Sequence, residues 1–330
     1  QSTARWPGHL GPGIYRREHA SLLICSETTA IAVDPIGLEL SLPGIADAPL
    51  DTVHPITGAP TGVDAVVITH SHDDHFHLPS LLRSVAADCP VLVPEVPRPS
   101  LLTRVDLAAA LAALGQRVVS MPWYTTHTVG DITIEAVPFY GEQPTRLAPG
   151  PPPDMRNWGN CYRITTPQLS ALILVDSGCD PLGDMVEVAR RCRREHGPVD
   201  IALSCLRSFA SPFFGGLPYY WAALPLDQLG QLWRQLGRDA LPATTAGAIG
   251  TAAVCAAAGA RYFLPYAHGF AGVGQAIDDV GWGAGEPAEH ALLAELSQLL
   301  SERGATTEVR SWQPGQCARL VAGQLRIDMP

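Results

Sequence analysis

A short segment with four metal-binding side chains, residues 66–77, constrains the fold of this chain more than any other stretch. An apolar, β-branched run that is typical of a buried strand ends there in the pattern H-x-H-x-D-H. In an extended segment residues i and i+2 point to the same side, so His70 and His72 can bind one ion. The following turn can direct Asp74 and His75 toward a second ion. We therefore predict half of a two-metal site here, and a solvated His-rich loop is the alternative.

This loop, placed after a hydrophobic strand, resembles the signature of the metallo-β-lactamase superfamily. The resemblance implies an αββα sandwich of the α/β layered class, with one or two metal ions at one edge and further ligands on later loops. Strands and helices also alternate along the chain, as a layered α/β fold requires. We predict one domain of this fold over residues 1–330, with an irregular N-terminal lead-in at 1–18 and a Pro-rich flap at about 144–160.

Superfamily hydrolases usually carry a metal-binding His just after a strand that corresponds to 132–137. Here that strand leads into Pro138-Phe139-Tyr140-Gly141-Glu142, and the next His is not met until position 196. His127 precedes the strand at its far end, so we interpret it as a loop or core histidine. Glu142 is then the available ligand, and an exposed loop glutamate is the alternative. A carboxylate in place of an imidazole makes the site harder and more anionic, which favours iron or manganese over zinc.

A Glu at this distance from the metal loop is similar to a small branch of the superfamily, which contains the di-iron β-hydroxylase of chloramphenicol biosynthesis. That branch has a Glu at the position that Glu142 matches. The resemblance implies two iron ions, dioxygen as a co-substrate, an external electron donor and an amino-acid-like substrate that a carrier protein could hold.

Two later strands end in side chains that match the remaining superfamily ligands. The run 171–175 ends at Asp176, whose two oxygens could bridge two cations, although a turn-forming Asp is the alternative. The run 261–267 ends at His268. We predict that His70, His72, Glu142 and Asp176 hold one ion and that Asp74, His75, Asp176 and His268 hold the other. Asp74 and Glu142 are also the predicted catalytic residues, whereas Asp34, in an Asp-Pro pair, is predicted to be structural.

Aromatic residues between 209 and 221, among Gly and Pro and without helical spacing, predict a loop that covers a substrate pocket. A satellite hydrophobic cluster is the alternative. The predicted substrate-binding residues are Arg207, which could meet a carboxylate, and Phe213, Phe214, Tyr219, Tyr220, Trp221, Trp158 and Tyr140.

Composition narrows the function classes. The formal net charge is −10 and the chain has no Lys, which argues against a nucleic-acid partner and hence against a nuclease. Eight scattered Cys without a C-x-x-C pair predict buried thiols in a reducing compartment. Without an apolar run of membrane-spanning length or a basic-then-apolar N-terminal segment, we expect a soluble, cytoplasmic protein without a membrane partner.

Three functions fit these patterns. The first is a non-haem di-iron oxygenase that hydroxylates an amino-acid-like or aromatic small molecule in specialised metabolism. The second is a metal-dependent hydrolase of an ester, thioester, lactone or amide, with zinc or manganese in place of iron. The third is a scaffold protein with a vestigial site, against which the complete metal loop argues.

Overall fold

Two β-sheets with helices on their outer faces make up the part of the chain that the computed structural model describes. That part comprises residues 10–17, 19–35, 63–98, 103, 105–143, 156–206, 208, 225–227, 230, 234, 245–267 and 287–329. The elements are β1 Gly13–Arg16, β2 Leu22–Cys25, β3 Ala30–Val33, β4 Ala65–Val67, α1 Leu78–Ser84, β5 Val91–Pro94, α2 Leu107–Ala113, β6 Val118–Met121, β7 Thr126–Val129, β8 Ile132–Pro138, β9 Asn160–Thr165, β10 Ser170–Ile173, β11 Cys179–Asp180, β12 Gly183–Asp184, α3 Met185–His196, β13 Ile201–Ser204, α4 Gly247–Ala258, β14 Tyr262–Pro265, α5 Pro287–Glu302, β15 Glu308–Val309, β16 Cys317–Val321 and β17 Gln324–Asp328.

The first sheet has eight strands in the order β17-β16-β1-β2-β3-β4-β5-β6, and the second has seven in the order β15-β14-β13-β10-β9-β8-β7. Strands β3 to β6 are parallel, and so are β10, β13, β14 and β15. The carboxyl ends of parallel neighbours lie at one edge of a sheet, which is where ligand-binding loops gather in such folds. The predicted metal loop directly follows β4.

Side-chain alternation explains why the strands of the first sheet are apolar on both faces. In β2, Leu22 and Ile24 belong to the core between the sheets, whereas Leu23 and Cys25 face the second cluster of apolar side chains under α1 and α2. Leu111 of α2 is fully buried in that outer cluster. The arrangement is the predicted αββα sandwich.

The helices on the second sheet begin and end where local chemistry requires. Asp184 caps α3, because its carboxylate accepts a hydrogen bond from the backbone N–H of Val186. Gly259, at φ 63°, ends α4 in the left-handed conformation that glycine adopts without strain. The small residues of α4 allow it to pack closely between α3 and α5.

Several predicted boundaries were wrong. The lead-in at 1–18 is not irregular throughout, because Gly13–Arg16 forms β1, an inner strand between β16 and β2. His127 lies in β7 rather than in a loop or the core, and it is partly exposed. The Ala- and Leu-rich run 101–114 predicts a helix, which in the structure begins at Leu107, where Asp106 caps it. The sequence predicts a helix over 180–196, and the structure begins it at Met185, after the β11–β12 hairpin. The sequence also predicts edge strands over 307–327; β15 and β17 are edge strands, whereas β16 lies between β17 and β1.

Some predictions fall outside the described residues. These are the flap residues 144–155, the aromatic loop, Arg207 and His268. A long loop, which the Pro and Gly content of 36–62 predicts, and most of a helix predicted over 226–236 also fall outside them. No helix in the described part of the chain combines the length and apolar character that a bilayer crossing demands.

Candidate metal centre

Loops from both sheets meet at one edge, and their backbones take the left-handed conformation there. Positive φ values occur at His19 (48°), Asp34 (41°), Glu142 (47°), Val175 (52°) and Ala267 (60°), each shortly after a strand. Such conformations cost about 1–3 kcal/mol per residue and persist where the surroundings fix them, often at functional sites. The β-branched Val175 is the most unusual of the five, and it directly precedes Asp176.

The first cluster consists of His70, His72 and Glu142, which share one buried space. The Glu142 carboxylate oxygen Oε2 lies 3.0 Å from His72 Nδ1 and 3.4 Å from His70 Nε2. Glu142 is only 7% exposed, so it is not a solvated loop glutamate. The three side chains can each present one ligand atom to a common metal ion.

Hydrogen bonds beside Glu142 hold it in this position. The Gln143 amide donates to the carbonyls of Gly141 (2.8 Å) and Asn157 (3.1 Å), and its Oε1 accepts the Asn157 N–H at 2.8 Å. The Asn157 side-chain amide lies 3.3 Å from His72 Nε2. Gln143 therefore ties the Glu142 segment to the segment that contacts His72.

A buried ion pair anchors the strand exit that leads to Glu142. Arg156 donates from Nη2 to the Phe139 carbonyl and to Asp180 Oδ2, both at 2.7 Å. The same Asp180 oxygen accepts the Gly141 N–H at 3.1 Å. Since Asp180 follows Asp176 by four residues, the pair also connects the two carboxylate-bearing loops.

The second cluster consists of Asp74, His75 and Asp176. His75 is fully buried, and its Nε2 lies 2.9 Å from Asp176 Oδ2 and 3.9 Å from Asp74 Oδ2. His70 joins the two clusters, because its ring centroid is 4.2 Å from that of His75. His70, His75 and Asp176 can likewise present ligand atoms to one ion.

Asp34 orients His75 from behind. Its Oδ2 lies 2.9 Å from His75 Nδ1 and accepts the Thr69 hydroxyl at 2.6 Å, while Oδ1 accepts the Thr69 N–H at 2.8 Å. A carboxylate on the far nitrogen fixes the ring orientation and tautomer of a metal-binding His. This placement agrees with the structural role predicted for Asp34.

The electrostatics of the first cluster suit a cation. Burial lowers the pKa of His70, and the neighbouring His75 and His72 lower it further. Burial opposes ionisation of Glu142, but His72 and His70 outweigh it and hold the pKa of the carboxyl well below its usual range. The cluster therefore offers a neutral imidazole and a carboxylate anion, the protonation states that metal ligation requires.

In the second cluster negative charges dominate. Burial disfavours the charged form of His75, yet Asp74, Asp176 and Asp34 together raise the pKa of its imidazole well above the usual value. A metal ion bound there would take the place of the proton, because ligation needs the neutral ring.

The distances fit metal ions as well as hydrogen bonds. Two ligand atoms that are each about 2.1 Å from an ion lie about 3.0 Å apart at a right angle and about 4.2 Å apart on opposite sides. The separations in both clusters, from 2.9 to 3.9 Å, match this range. In addition, Asp176 Oδ1 is buried without a hydrogen-bond partner in the described structure, as a bridging ligand oxygen would be.

Two predicted substrate-binding residues, Tyr140 and Trp158, lie in an aromatic cage around the Arg156 guanidinium. Its centre is 5.3 Å from the Trp123 ring centroid, 5.6 Å from that of Tyr140 and 5.4 Å from that of Trp158. Through Asn157, the residue after Arg156, the cage adjoins the first cluster.

Sequence reasoning missed several residues of this edge. His19 contacts Asp74 at 3.0 Å, and Asn157, Arg156 and Gln143 hold the surroundings of Glu142. Apart from the bond between Gln143 and Gly141, these contacts span between 14 and 85 positions in the sequence, so local patterns carry no signal for most of them. Because Cys179 follows Asp176 by three residues, the sequence predicts that it lies near the metals. Among the described residues it belongs to none of the metal-compatible groups.

An αββα sandwich with His- and carboxylate-bearing loops gathered at one sheet edge defines the class of metallo-β-lactamase-fold metalloenzymes. A family model described as a β-lactamase superfamily domain matches residues 41–210, just over half of the chain. The chain belongs to this superfamily.

Solved structures agree with the fold. CmlA, a diiron β-hydroxylase from Streptomyces venezuelae, superposes with a TM-score of 0.64 at 23% identity over 94% of this chain and 55% of that one. Igni18, a metallo hydrolase from Ignicoccus hospitalis KIN4/I, gives a TM-score of 0.53 at 13% identity over 92% of this chain and 96% of its own. An isothiocyanate hydrolase from Delia radicum gut bacteria gives a TM-score of 0.50 at 13% identity over 91% of this chain and 99% of its own.

At such identities the similarity establishes the fold alone. This chain spans about half of the length of the CmlA chains that it matches. A search of curated protein sequences finds no significant match.

Proposed function

We propose that this protein is a non-haem di-iron oxygenase of the hydroxylase type, which acts on an amino-acid-like or aromatic small molecule in specialised metabolism. The observation that carries the proposal is the position of Glu142, whose carboxylate lies 3.0 Å from His72 and 3.4 Å from His70. A superfamily hydrolase usually has an imidazole at this place. The likeness of the fold to that of a diiron β-hydroxylase supports the same reading.

The donor set fits iron. Hard carboxylate ligands favour iron or manganese over the softer preferences of zinc, and extra negative charge stabilises the higher oxidation states of a metal. In this proposal His70, His72, Glu142 and Asp176 hold one ion, and the other is held by Asp74, His75, Asp176 and His268. Two iron ions held in this way would supply the electrons and the binding site for dioxygen reduction.

The side chains around the ions would control access and geometry. Phe139, fully buried, stacks on His70 with a centroid distance of 5.0 Å and excludes water from that side. Among the ligand candidates that the structure describes, Asp74 is the most exposed, with 31% of its side chain accessible, so its side of the centre is the more open one. We place the substrate on that side. An external donor would supply the incoming electrons.

The proposed substrate class rests on the resemblance of the Glu142 segment to the β-hydroxylase branch. Tyr140, Trp158 and Trp123 lie around the Arg156 guanidinium, so the cage supports the wall of the first cluster. A carrier-bound form of the substrate is compatible with this placement. Because the chain has a net charge of −10 and no Lys, nucleic acid is not a proposed partner.

A metal-dependent hydrolase is the second candidate. The observation that favours it is that both named hydrolases match over more than nine-tenths of this chain and of their own. In that case zinc or manganese would be the metal, and an ester, thioester, lactone or amide the substrate. This candidate predicts that Glu142 lies away from the ions, and the distance of 3.0 Å between Glu142 and His72 argues against it.

The metal and its reaction with dioxygen separate the two candidates. Protein produced in iron-rich medium should hold about two iron ions per chain, show the Mössbauer spectrum of a coupled di-iron centre, and consume dioxygen when it is chemically reduced. The Glu142→His variant should shift the metal content toward zinc and lose the dioxygen uptake. Protein that holds only zinc, takes up no dioxygen and cleaves model esters or lactones would establish the hydrolase instead.

A further inference from the structure

His19 lies beside the second cluster, in the connection between β1 and β2, although no sequence pattern marks it as a ligand. The side chain is buried, and its Nε2 is 3.0 Å from Asp74 Oδ2. Its ring meets the ring of His75 edge-on, with centroids 5.2 Å apart. His19 therefore faces the same space as two proposed ligands.

The spacing of the three side chains fits a shared cation. Ligand atoms about 2.1 Å from one ion lie between about 3.0 Å and about 4.2 Å apart. The distance from His19 Nε2 to Asp74 Oδ2 is 3.0 Å, and the distance from Asp74 Oδ2 to His75 Nε2 is 3.9 Å. His19, Asp74 and His75 can present one ligand atom each within 4.8 Å of one another.

A strained conformation and a hydrogen bond hold the backbone of His19. Its φ of 48° is the left-handed conformation, which a non-glycine residue adopts at a cost. Its carbonyl accepts the N–H of Ala267 at 3.2 Å, and Ala267 directly precedes His268. Residue 19 thus connects the loop of Asp74 to the loop of the last proposed ligand.

We infer that His19 is a further protein ligand of the cation at Asp74 and His75. The inference rests on the proposed two-metal centre and adds to it a third imidazole for the second ion, supplied by the N-terminal strands. The alternative is that His19 only donates a hydrogen bond to Asp74.

Two substitutions distinguish these roles. His19→Gln keeps an amide that can donate to Asp74 but removes the imidazole, whereas His19→Ala removes both. His127→Gln is the matched control, because His127 lies in β7 and belongs to no metal-compatible group in the described part of the chain. The probe is Co²⁺ alone, added to the metal-free full chain and followed by calorimetry and by the hyperfine-shifted imidazole N–H signals in proton NMR.

If His19 is a ligand, both His19 variants bind the second Co²⁺ at least tenfold more weakly. At saturation His19→Gln shows one imidazole signal fewer than the wild type. The first Co²⁺ binds as in the wild type, which also shows that the fold is intact, and His127→Gln changes neither ion. Wild-type affinity or a full set of signals in His19→Gln would overturn the assignment. If the wild type itself binds a single ion that residue 19 does not affect, both this assignment and the proposed two-metal centre fail.

Discussion

The Asp34 carboxylate accepts two hydrogen bonds from Thr69 and a third contact from His75, all in the fully buried interior. An amide cannot reproduce this pattern, because its NH₂ group would face the His75 Nδ1–H. Asp34 therefore fixes the His75 ring through its negative charge and the direction of its hydrogen bonds, and not through the space that its side chain fills.

We expect Asp34→Asn to lower the affinity for the second ion by about 10- to 100-fold, the usual effect of losing a hydrogen-bond partner of a ligand. The affinity for the first ion should stay nearly unchanged. Stepwise Co²⁺ titration of the metal-free protein measures both affinities. Asp328→Asn is the control, since Asp328, on the edge strand β17, forms an ion pair with Arg319 of β16. An equal loss of affinity for both ions would show that Asp34 supports the loops of both clusters and not His75 in particular.

The reactivity of the cysteine thiols reports directly on their burial. All eight are free thiols, and Cys179 alone is partly exposed. Burial raises the pKa of Cys25 and Cys255 to about 12, so these thiols stay protonated and unreactive at pH 8. We expect one fast-reacting thiol with a disulfide reagent in the native state and eight after denaturation. Cys179→Ser should remove the fast reaction and Cys255→Ser should not, and several fast thiols in the native protein would contradict the described packing.

At the scale of elements, the β11–β12 hairpin packs so tightly that one glycine is obligatory. A Cβ at Gly183 would lie 2.3 Å from Cζ of Tyr140, whose ring is held by Arg156 and Trp123. The hairpin carries Asp180, which binds the strand exit before Glu142. A clash there must displace either the aromatic cage or the hairpin.

We expect Gly183→Ala to destabilise the protein by about 1–3 kcal/mol, the usual cost of overpacking. The second substitution Tyr140→Leu should recover part of this loss. Gly11→Ala is the control, because among the described residues a Cβ at Gly11 meets no atom closer than 3.9 Å. Denaturant unfolding measures the free energies, and an unchanged stability of Gly183→Ala would mean that Tyr140 is not held as described.

The sequence predicted the elements whose pattern is local. Apolar runs marked β4, β8, β10 and β14, and the ligand-bearing loops could be placed because they follow such runs. Strand β1 was missed because one of its two neighbours, β16, lies about 300 positions away in sequence and leaves no local signal. The same reason applies to His19, whose partner Asp74 is 55 residues distant. The position of α2 was misjudged because the Asp106 cap was not recognised as its start.

At the scale of the whole molecule, the metal centre connects the two sheets. His70 follows β4 of the first sheet and forms an isolated bridge with Gly159, next to β9 of the second. Glu142 and Asp176 follow β8 and β10, which also belong to the second sheet. Ions bound by these residues would therefore link the layers of the sandwich.

We expect each ion to stabilise the folded state by about 2.7 kcal/mol at a free concentration of one hundred times its dissociation constant. Scanning calorimetry with and without a chelator should show the corresponding fall in the unfolding temperature. His72→Ala should lose about half of the metal-dependent shift, and His127→Ala should keep all of it. A chelator that leaves the unfolding temperature unchanged would contradict a centre that joins the sheets.

The placement of the Glu142 carboxylate at a paired-cation centre is tested most directly by anomalous diffraction at the iron edge from crystals of the iron-loaded protein. The account predicts two anomalous peaks about 3.5–4 Å apart, one of them about 2.1 Å from a Glu142 carboxylate oxygen. A single peak, or a Glu142 side chain that points into solvent while something else ligates the ion, would contradict it.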